Sequence, residues 1–423
     1  MSKEPVTKEP AIEDAEVLTP YHRALFIMLA GATLFEGFDT MLTSLSLHHM
    51  EKDFGVDASA LATAVSLIST GTVVAFFSLR LADRYGRRPI FLISVLGYTL
   101  LTIATAFSKT LDQFIALQFA ARMLMVTELA LAYVMLGEEM PARFRSRALS
   151  LLGGIALAGA ALPALALPLV VETEWGWRGL FLLGGALLFF LPLFFLYLRE
   201  TQRFDARKTA ARSASLAQEW AKTIALFHST YRRRTAGLTA IWFTINFWTS
   251  CTLFFFAAYV QGERGWEPST VAWVFPTATA IGFCGYLIAG RLMDTIGRRT
   301  TLGIYFALAS VAGVVCYRAE SDALVMASYF ALMMLAGLWA IGETIAVELF
   351  PTDVRATANG LTNNLLGRWG LVLGPAAMSV LIARYGSIGE AASILALFNL
   401  ATLPLILWLV PETKDLQLDD DTS

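Results

Sequence analysis

The sequence predicts an all-α integral membrane protein whose twelve transmembrane helices form two pseudo-symmetric six-helix bundles. Three observations lead to this fold class. Hydrophobic residues make up 56% of the 423 residues and charged residues only 16%, a composition too apolar for a water-soluble chain. Apolar stretches of about 20 residues, long enough to cross the hydrocarbon core as helices, recur along the whole chain. Short motifs of the first half also return in the second half at a nearly constant offset.

The apolar stretches define the predicted helices and their orientation. We place them at residues 24–48, 59–81, 89–108, 112–136, 147–171, 178–198, 236–260, 269–290, 300–318, 323–347, 357–382 and 390–410. With loops assigned alternately to the two sides, 24 of the 32 Lys and Arg residues fall on the side of the N-terminus. Because basic loops stay in the cytoplasm, both termini are predicted to be cytoplasmic, in a plasma (inner) membrane.

Polar segments divide the chain into domains. The longest polar interruption, residues 199–235, separates six predicted helices from six, and its many basic residues favour contact with anionic lipid. The acidic first residues do not have the composition of a signal peptide. The predicted domains are a cytoplasmic tail at 1–22, a first bundle at 23–198, a cytoplasmic linker at 199–235, a second bundle at 236–410 and a cytoplasmic tail at 411–423.

Three motif pairs indicate that one six-helix unit occurs twice. L-A-D-R-Y-G-R-R at 81–88 is matched by L-M-D-T-I-G-R-R at 292–299. E-x-x-P-x-x-x-R, which begins at Glu138, returns from Glu348, and R-E-T-Q at 199–202 is echoed by P-E-T-K at 411–414. The offsets lie between 210 and 212 residues, too close to one another for coincidence.

These motifs resemble the major facilitator superfamily over nearly the whole chain. The resemblance implies two bundles that face each other across a central cavity and expose it alternately to the two sides of the membrane. F-E-G-F-D-T at 35–40 is similar to the helix-one signature of the aromatic acid–proton symporters and, more distantly, of sugar porters. Glu128 and the L-A-L-A-Y after it resemble the niacin and organic ion transporters. The chain therefore looks like a metabolite–proton symporter.

The charged loop motifs are predicted to form a gate. Carboxylates and guanidinium groups at neighbouring helix ends can pair, and pairs that form only when the cytoplasmic side is shut would act as a latch. Solvated surface pairs of little energetic value are the alternative. The predicted gating residues are Asp83, Arg87, Arg88, Glu138, Arg145, Asp294, Arg298, Glu343, Glu348 and Arg355.

Charged residues within the predicted helices are functional candidates, because a charge in the bilayer is costly. Glu36 and Asp39 are three residues apart and share one helix face, where two close carboxylates disfavour simultaneous ionisation. We predict that they and Arg122 form a proton-coupling site, with Asp39 as the first choice for the carrier. A static bridge to Arg122 remains the alternative. Glu343 belongs either to these buried charges or to the latch.

Polar residues of several predicted helices are candidates for solute contacts. Arg368 is the first choice for binding a solute carboxylate, and the aromatic residues nearby offer stacking surfaces. Continuing the repeat offset from Glu36 to Thr40 leads to polar residues of helix seven. The predicted solute contacts are Arg368, Asn246, Trp248, Asn364, Gln118 and Glu128.

The sequence favours a secondary transporter of a small solute. The Gly- and Ala-rich stretch at 153–161 offers almost no hydrogen-bonding groups for a sugar, so a small organic anion with an apolar body is preferred. An organic cation, a sugar or polyol, facilitative uniport and a transporter-like sensor remain alternatives. Motifs for an enzyme, a nucleotide, a metal or another cofactor are not found, nor is a basis for nucleic-acid binding. The expected partners are the solute, protons and lipid, and the expected assembly is a monomer.

Overall fold

Twelve helices span the fold in the computed structural model, which describes residues 18–201, Ile224 and residues 226–414. They are α1 (Pro20–Phe54), α2 (Ala58–Ala82), α3 (Arg87–Thr105), α4 (Leu111–Glu139), α5 (Arg143–Val171), α6 (Arg178–Tyr197), α7 (Tyr231–Gly262), α8 (Pro268–Ile296), α9 (Arg298–Arg318), α10 (Asp322–Leu349), α11 (Thr357–Tyr385) and α12 (Ile388–Leu409). The predicted all-α membrane fold is confirmed. Most of the predicted linker, and most of each predicted tail, lies outside the described residues.

The helices form two bundles, α1–α6 and α7–α12. In the first, α1 packs against α5, and α4 packs against α2 and α3. In the second, α7 packs against α11, and α9 packs against α10 and α12. The bundles meet where α2 contacts α11 and where α5 contacts α8. We call the side on which α1 begins and α12 ends the terminal face, and the other side the opposite face.

Polar side chains start several helices at the opposite face. Asp57 accepts a hydrogen bond of 2.9 Å from the backbone N–H of Ala60 at the start of α2. Thr110, Ser321 and Ser387 cap α4, α10 and α12 in the same way. Such caps satisfy backbone donors that the first helical turn leaves free, so these residues fix where each helix begins.

At the terminal face, two helices begin at glycines and are capped by distant carboxylates. Glu200 accepts hydrogen bonds from the backbone N–H groups of Arg87 and Arg88 at the start of α3. Glu412 does the same for Arg298 and Arg299 at the start of α9. Gly86 and Gly297 precede these helices with φ of 112° and 92°, and a side chain there would collide with the capping carboxylate. The repeated E-T dipeptides therefore anchor equivalent helix starts.

The Glu412 carboxyl shows how strongly this cap favours the charged form. Partial burial would raise its pKa, but hydrogen bonds from the backbone N–H groups of Lys414, Arg298 and Arg299 outweigh that effect. The pKa of Glu412 therefore lies below its ordinary value.

The predicted latch residues form a clamp within each bundle. Arg87 pairs with Glu138 at 3.5 Å, and the hydroxyl of Thr201 donates to Glu138 at 2.6 Å. Arg298 pairs with Glu348 at 2.9 Å, and Thr413 donates to Glu348 at 2.6 Å. Each clamp ties the terminal-face ends of helices in the same bundle. That these pairs also close the cytoplasmic side stays a prediction.

The remaining predicted gate residues also find partners within their own bundle. Arg88 donates to the carbonyl of Leu198 at 2.7 Å, and Asp294 pairs with Arg298 at 3.4 Å. Arg145 and Arg355 each donate to a backbone carbonyl five residues earlier in the chain. The side chain of Asp83 lies outside the described side chains, so its predicted role stays a prediction.

Glycines on α1 and α5 allow these two helices to cross closely. A methyl group at Gly37 would overlap the carbonyl oxygen of Ala156, and one at Gly159 would overlap the carbonyl oxygen of Leu34. Small residues let the two backbones approach, as in other tightly packed membrane helices. The crossing lies one turn or less from Glu36 and Asp39, so it also fixes their position.

The two bundles are joined on the side of the opposite face. His49 and Gln261 share a hydrogen bond of 3.1 Å between α1 and α7, and Ser44 donates to the carbonyl of Phe254. Ser66 donates to the carbonyl of Val372 at 2.7 Å between α2 and α11. Ser44 and Phe254 are 210 residues apart, so equivalent positions of the two repeats meet at the interface.

Candidate solute cavity between the two bundles

A central cavity of about 340 Å³ lies between the bundles, in the middle of the membrane and toward the opposite face. Its wall in the first bundle carries hydroxyl groups and one guanidinium, whereas its wall in the second bundle is rich in rings. The lining includes Thr40, Thr43, Ser69, Thr72, Arg122, Thr249, Ser250, Phe254, Phe275, Thr279, Tyr286, Tyr329 and Trp339. The cavity therefore suits a small solute with an apolar or aromatic body.

A second cavity of about 610 Å³ continues the first toward the terminal face. We call it the vestibule. Thr40, Met41 and Tyr286 line both spaces, and Glu36, Tyr133 and Ser150 line the vestibule alone. Because Tyr133 and Ser150 lie near the terminal-face ends of α4 and α5, the central cavity is reached from that side.

Arg122 is the one charged side chain that lines the central cavity among the described residues. Its guanidinium makes no hydrogen bond and no ion pair with the part of the chain that the structure describes. It also lines a small space of about 10 Å³ on its other side, together with Asp39. Arg122 therefore stands between the cavity and the buried carboxylate.

Asp39 lies inside the first bundle and does not line the central cavity. Its side chain is 6% exposed, and the hydroxyl of Thr102 donates to Oδ2 at 3.0 Å. Oδ1 has no hydrogen-bond partner among the described residues, and it faces the small space that Gln118 and Arg122 also line. This space is large enough for about one water molecule, and its polar lining can hold one.

Glu36 lies on the vestibule side of the same helix. Its side chain is 7% exposed, and Thr40 donates to its carboxylate at 3.2 Å. It interacts electrostatically with Arg122 and Arg368. The two carboxylates of α1 thus occupy different surroundings, one at the vestibule and one inside the bundle.

Arg368 lies at the junction of the bundles. Its guanidinium donates a long hydrogen bond of 3.5 Å to the carbonyl of Thr72 on α2. It does not line the central cavity, whose α11 wall is formed by Leu371 and Pro375. Arg122 presents its guanidinium to the cavity and Arg368 does not, so the role of Arg368 in binding a solute carboxylate stays a prediction.

The sequence matches the Major Facilitator Superfamily over residues 29–375 and again over residues 240–421. The chain belongs to the Major Facilitator Superfamily. It is an integral membrane transporter of small-molecule substrates and not an enzyme.

Relatives of this transporter include carriers of small acids. It is 23% identical over 433 residues to the niacin transporter NiaP of Acinetobacter baylyi, covering 94% of this chain and 96% of that protein. It is 25% identical over 403 residues to the 4-hydroxybenzoate transporter PcaK of Pseudomonas aeruginosa, covering 86% and 87%. The fold matches the inward-open xylose transporter XylE of E. coli with a TM-score of 0.72 at 17% identity, over 94% and 98% of the two chains.

Two predicted solute contacts of the transporter form hydrogen bonds within their own bundle. Gln118 is buried and donates to the hydroxyl of Thr105 at 2.9 Å, and it lines the small space beside Asp39. Asn246 is buried and donates to the carbonyl of Trp242 at 2.8 Å. Neither lines the central cavity, so contact of either residue with the solute stays a prediction.

Three further predicted contacts lie away from both cavities. Trp248 is fully buried in the second bundle, and Asn364 lies on a π-helical segment of α11 without lining either space. Glu128 is 0% exposed in the core of the first bundle, and neither carboxyl oxygen has a hydrogen-bond partner among the described residues. An ionised carboxylate in such surroundings is strongly disfavoured.

The sequence missed most of the rings that face the cavity of the transporter. Phe254, Phe275, Tyr286, Tyr329 and Trp339 line it. A π-helical turn at Thr249–Leu253 changes which face of α7 meets the cavity. The repeat offset could have indicated part of this cavity wall. Thr43 and Leu253 are 210 residues apart, and both line the cavity.

Glu343 lies near the terminal face on α10. Its carboxylate is exposed and accepts hydrogen bonds of 3.4 Å from the side-chain amides of Asn359 and Asn363 on α11. It interacts electrostatically with Tyr286 at the vestibule. Its predicted place near the gate is compatible with this position, and its role there stays a prediction.

Close packing around Asp39 leads to a testable expectation for the transporter. A methyl group on Gly184 of α6 would lie 2.5 Å from Oδ1 of Asp39, so Gly184→Ala must displace that carboxylate or α6. We expect solute uptake to fall about 10-fold or more, which corresponds to roughly 1.4 kcal/mol. Gly31→Ala on α1, where nothing lies within 4 Å, is the control and should retain uptake. Equal loss in both variants, at equal protein level in the membrane, would contradict the expectation that the pocket around Asp39 contributes to transport.

Proposed function

We propose that this transporter carries a small organic anion, in particular an aromatic carboxylate, together with a proton by alternating access. The observation that supports this is the position of Arg122. Its guanidinium lies on the cavity wall without an ion partner among the described residues and faces a wall of rings. A guanidinium binds a carboxylate through two parallel hydrogen bonds, and rings on the opposite wall stack on the solute body.

The names of two relatives agree with this chemistry. Niacin and 4-hydroxybenzoate, which two relatives are named for, are both small rings that carry one carboxylate. The volume of the cavity, about 340 Å³, leaves room for a single ring with its substituents.

Proton coupling follows from the position of Arg122 between the cavity and Asp39. When the cavity is empty, the guanidinium stabilises the ionised carboxylate of Asp39. A solute carboxylate that binds Arg122 competes for the same positive charge, and Asp39 then takes up a proton. Glu36 lines the vestibule instead, where Thr40 donates to its carboxylate and Arg122 and Arg368 interact with it electrostatically.

The orientation and the gate complete the proposal. We assign the terminal face to the cytoplasm because basic residues are concentrated there; the vestibule then opens inward, and the protein acts in the inner membrane. The contacts between α1 and α7 open when the two bundles rock, while the terminal-face clamps keep each bundle rigid. Glu343, with Asn359 and Asn363, lies where the closing bundles approach. One chain contains the complete cavity and acts as a monomer.

The test of this function is uptake of matched acid and amide solutes into proteoliposomes with an acidic exterior. We expect nicotinate and benzoate to compete with labelled 4-hydroxybenzoate at least about 10-fold better than nicotinamide and benzamide do, because only the acids pair with Arg122. Protein-free liposomes correct for passive entry of the neutral acids. Equal competition by the amides, or by a sugar or a quaternary ammonium ion instead, would refute the proposal.

A further inference from the structure

A groove of about 430 Å³ lies at the terminal face of the first bundle and shares no lining residue with the central cavity or the vestibule. We call it the terminal groove. It runs between the first turns of α1 and α5, beside the end of α4. Its described lining holds two arginines among apolar side chains and contains no carboxylate: Leu18, Arg23, Phe26, Ile27, Met140, Phe144, Arg147, Ala148 and Leu151.

The two arginines of the terminal groove are cations without partners in the described part of the chain. Arg23 and Arg147 are both exposed, and neither forms a hydrogen bond, an ion pair or a ring contact with the described residues. The neighbouring Arg145, by contrast, donates to the carbonyl of Met140. Two free guanidinium groups beside one groove favour an anion with several oxygens, such as a phosphate group.

On both helices the arginine precedes an exposed aliphatic side chain by about one turn. Ile27 follows Arg23 on α1 and is 65% exposed, and Leu151 follows Arg147 on α5 and is 59% exposed. Both helices enter the membrane from the terminal face, so at about 1.5 Å per residue each aliphatic side chain lies about 6 Å deeper than its arginine. The surface is therefore basic at the membrane boundary and apolar just inside it, which matches a lipid with an anionic headgroup.

The second bundle covers the equivalent positions with its own side chains. At the repeat offset of 210 residues, Ile27 corresponds to Gly237, where a methyl group would lie 2.9 Å from a side chain at the end of α12. Arg23 corresponds to Arg233, whose guanidinium donates to the carbonyl of Trp408 and lies over its ring. The open groove is thus a property of the first bundle and not a general consequence of the repeat.

We propose that the terminal groove binds an anionic phospholipid such as phosphatidylglycerol. The phosphate of the headgroup pairs with Arg23 and Arg147, and an acyl chain lies against Phe26, Phe144 and Leu151. A phosphatidylcholine headgroup would bring its own ammonium group beside two unpaired cations and is therefore disfavoured. Because α1 and α5 also line the vestibule, a lipid that bridges their first turns stabilises the vestibule wall. This site is independent of which solute the protein carries.

The test is binding of phospholipids to the full chain in detergent, measured by native mass spectrometry and by the shift in melting temperature. Dioleoyl phosphatidylglycerol is the probe. Dioleoyl phosphatidylcholine has the same acyl chains, and glycerol 3-phosphate has a phosphate without acyl chains. We expect the probe to bind at least about 10-fold more tightly than either comparison and to raise the melting temperature, because a ligand of the folded state stabilises it. Equally tight binding of phosphatidylcholine or of glycerol 3-phosphate would overturn the proposal.

Neutral variants locate the site. The double variant Arg23→Gln, Arg147→Gln should bind phosphatidylglycerol roughly 30-fold more weakly and lose most of the rise in melting temperature. Both side chains are exposed, so without lipid the variant should melt like the unaltered protein. Arg233→Gln removes the equivalent arginine of the second bundle and should bind the lipid normally. Unchanged binding in the double variant, or an equal loss in Arg233→Gln, would overturn the assignment.

The acidic segment before α1 is the competing occupant of the terminal groove. Glu13, Asp14 and Glu16 precede Leu18 in the chain and lie outside the described residues. Replacing these three with Gln, Asn and Gln should change the affinity for phosphatidylglycerol less than about 3-fold, because charges outside the groove are screened by salt. A larger gain in affinity would assign the groove to this segment and overturn the proposal.

Discussion

Replacing Arg122 with glutamine will abolish solute binding within the concentration range in which the unaltered protein saturates. The variant leaves the solute carboxylate in an apolar, ring-lined cavity without its counter-ion. Removing one partner of a buried, hydrogen-bonded charge pair costs about 2–5 kcal/mol. The expected loss of affinity is therefore roughly 30-fold to several thousand-fold. Titration calorimetry of the purified protein with 4-hydroxybenzoate measures this loss directly.

Two further arginine variants make that result interpretable. Arg178→Gln removes a guanidinium that pairs with Asp53 in the same bundle at the opposite face, far from the cavity. It should bind the solute normally. Arg122→Lys keeps the positive charge without the planar fork and should show an intermediate affinity. If Arg178→Gln weakened binding as much as Arg122→Gln, the loss would reflect the fold and not the site.

Replacing Asp39 with asparagine will abolish proton-driven accumulation of the solute but preserve exchange of the solute across the membrane. The amide cannot carry a proton, so a proton gradient should no longer drive the solute above its equilibrium distribution. Exchange of labelled for unlabelled solute across the membrane needs no proton cycle and should persist. We expect loss of at least about 90% of gradient-driven accumulation, since the proposed mechanism has no other proton carrier at the cavity. Counterflow and gradient-driven uptake in the same proteoliposomes measure the two activities.

The matched control for this variant is Asp112→Asn, at the start of α4 on the opposite face. It makes the same chemical change away from the cavity and should retain both activities. An Asp39→Asn protein that still accumulated solute in response to the proton gradient would remove Asp39 from the proton pathway. In that case Glu36, which lines the vestibule, would be the remaining acidic group at the cavity.

The fold was predictable because it depends on segment length, hydrophobicity and motif spacing, which can be read from the sequence without knowledge of tertiary contacts. A helix must be about 20 residues long and apolar to cross the membrane, and the motif offset shows the repeat directly. The helix ends were less predictable. Helix α1 begins at Pro20 and ends at Phe54, beyond both predicted bounds, because a capping box at Thr19 and a left-handed glycine at 55 set its ends.

The sequence predicted which types of residue form the site, but not which positions face the cavity. Which side of a helix faces the cavity depends on rotation and local irregularities that no single-sequence pattern reveals. Arg122 and Gln118 lie one turn apart on α4, yet only Arg122 lines the central cavity. In α7, the π-helical turn at Thr249–Leu253 brings Thr249 and Ser250 to the cavity wall and leaves Asn246 buried.

The helix caps at the terminal face show a second limit of prediction from the sequence. The sequence showed that R-E-T-Q and P-E-T-K repeat, but not what their glutamates contact. Glu200 and Glu412 cap helices that begin more than 100 residues away in the chain. Such contacts depend on tertiary packing, so the repeat indicated that these residues matter without indicating how.

The central claim is that Arg122 holds the solute carboxylate in a cavity shared by the two bundles. The most direct measurement is an experimental structure of the protein with 4-hydroxybenzoate bound. The account predicts the carboxylate within hydrogen-bonding distance of the Arg122 guanidinium and the ring against Phe254, Tyr329 or Trp339. A solute bound elsewhere, or a carboxylate held by another residue while Arg122 pairs with Asp39, would contradict it.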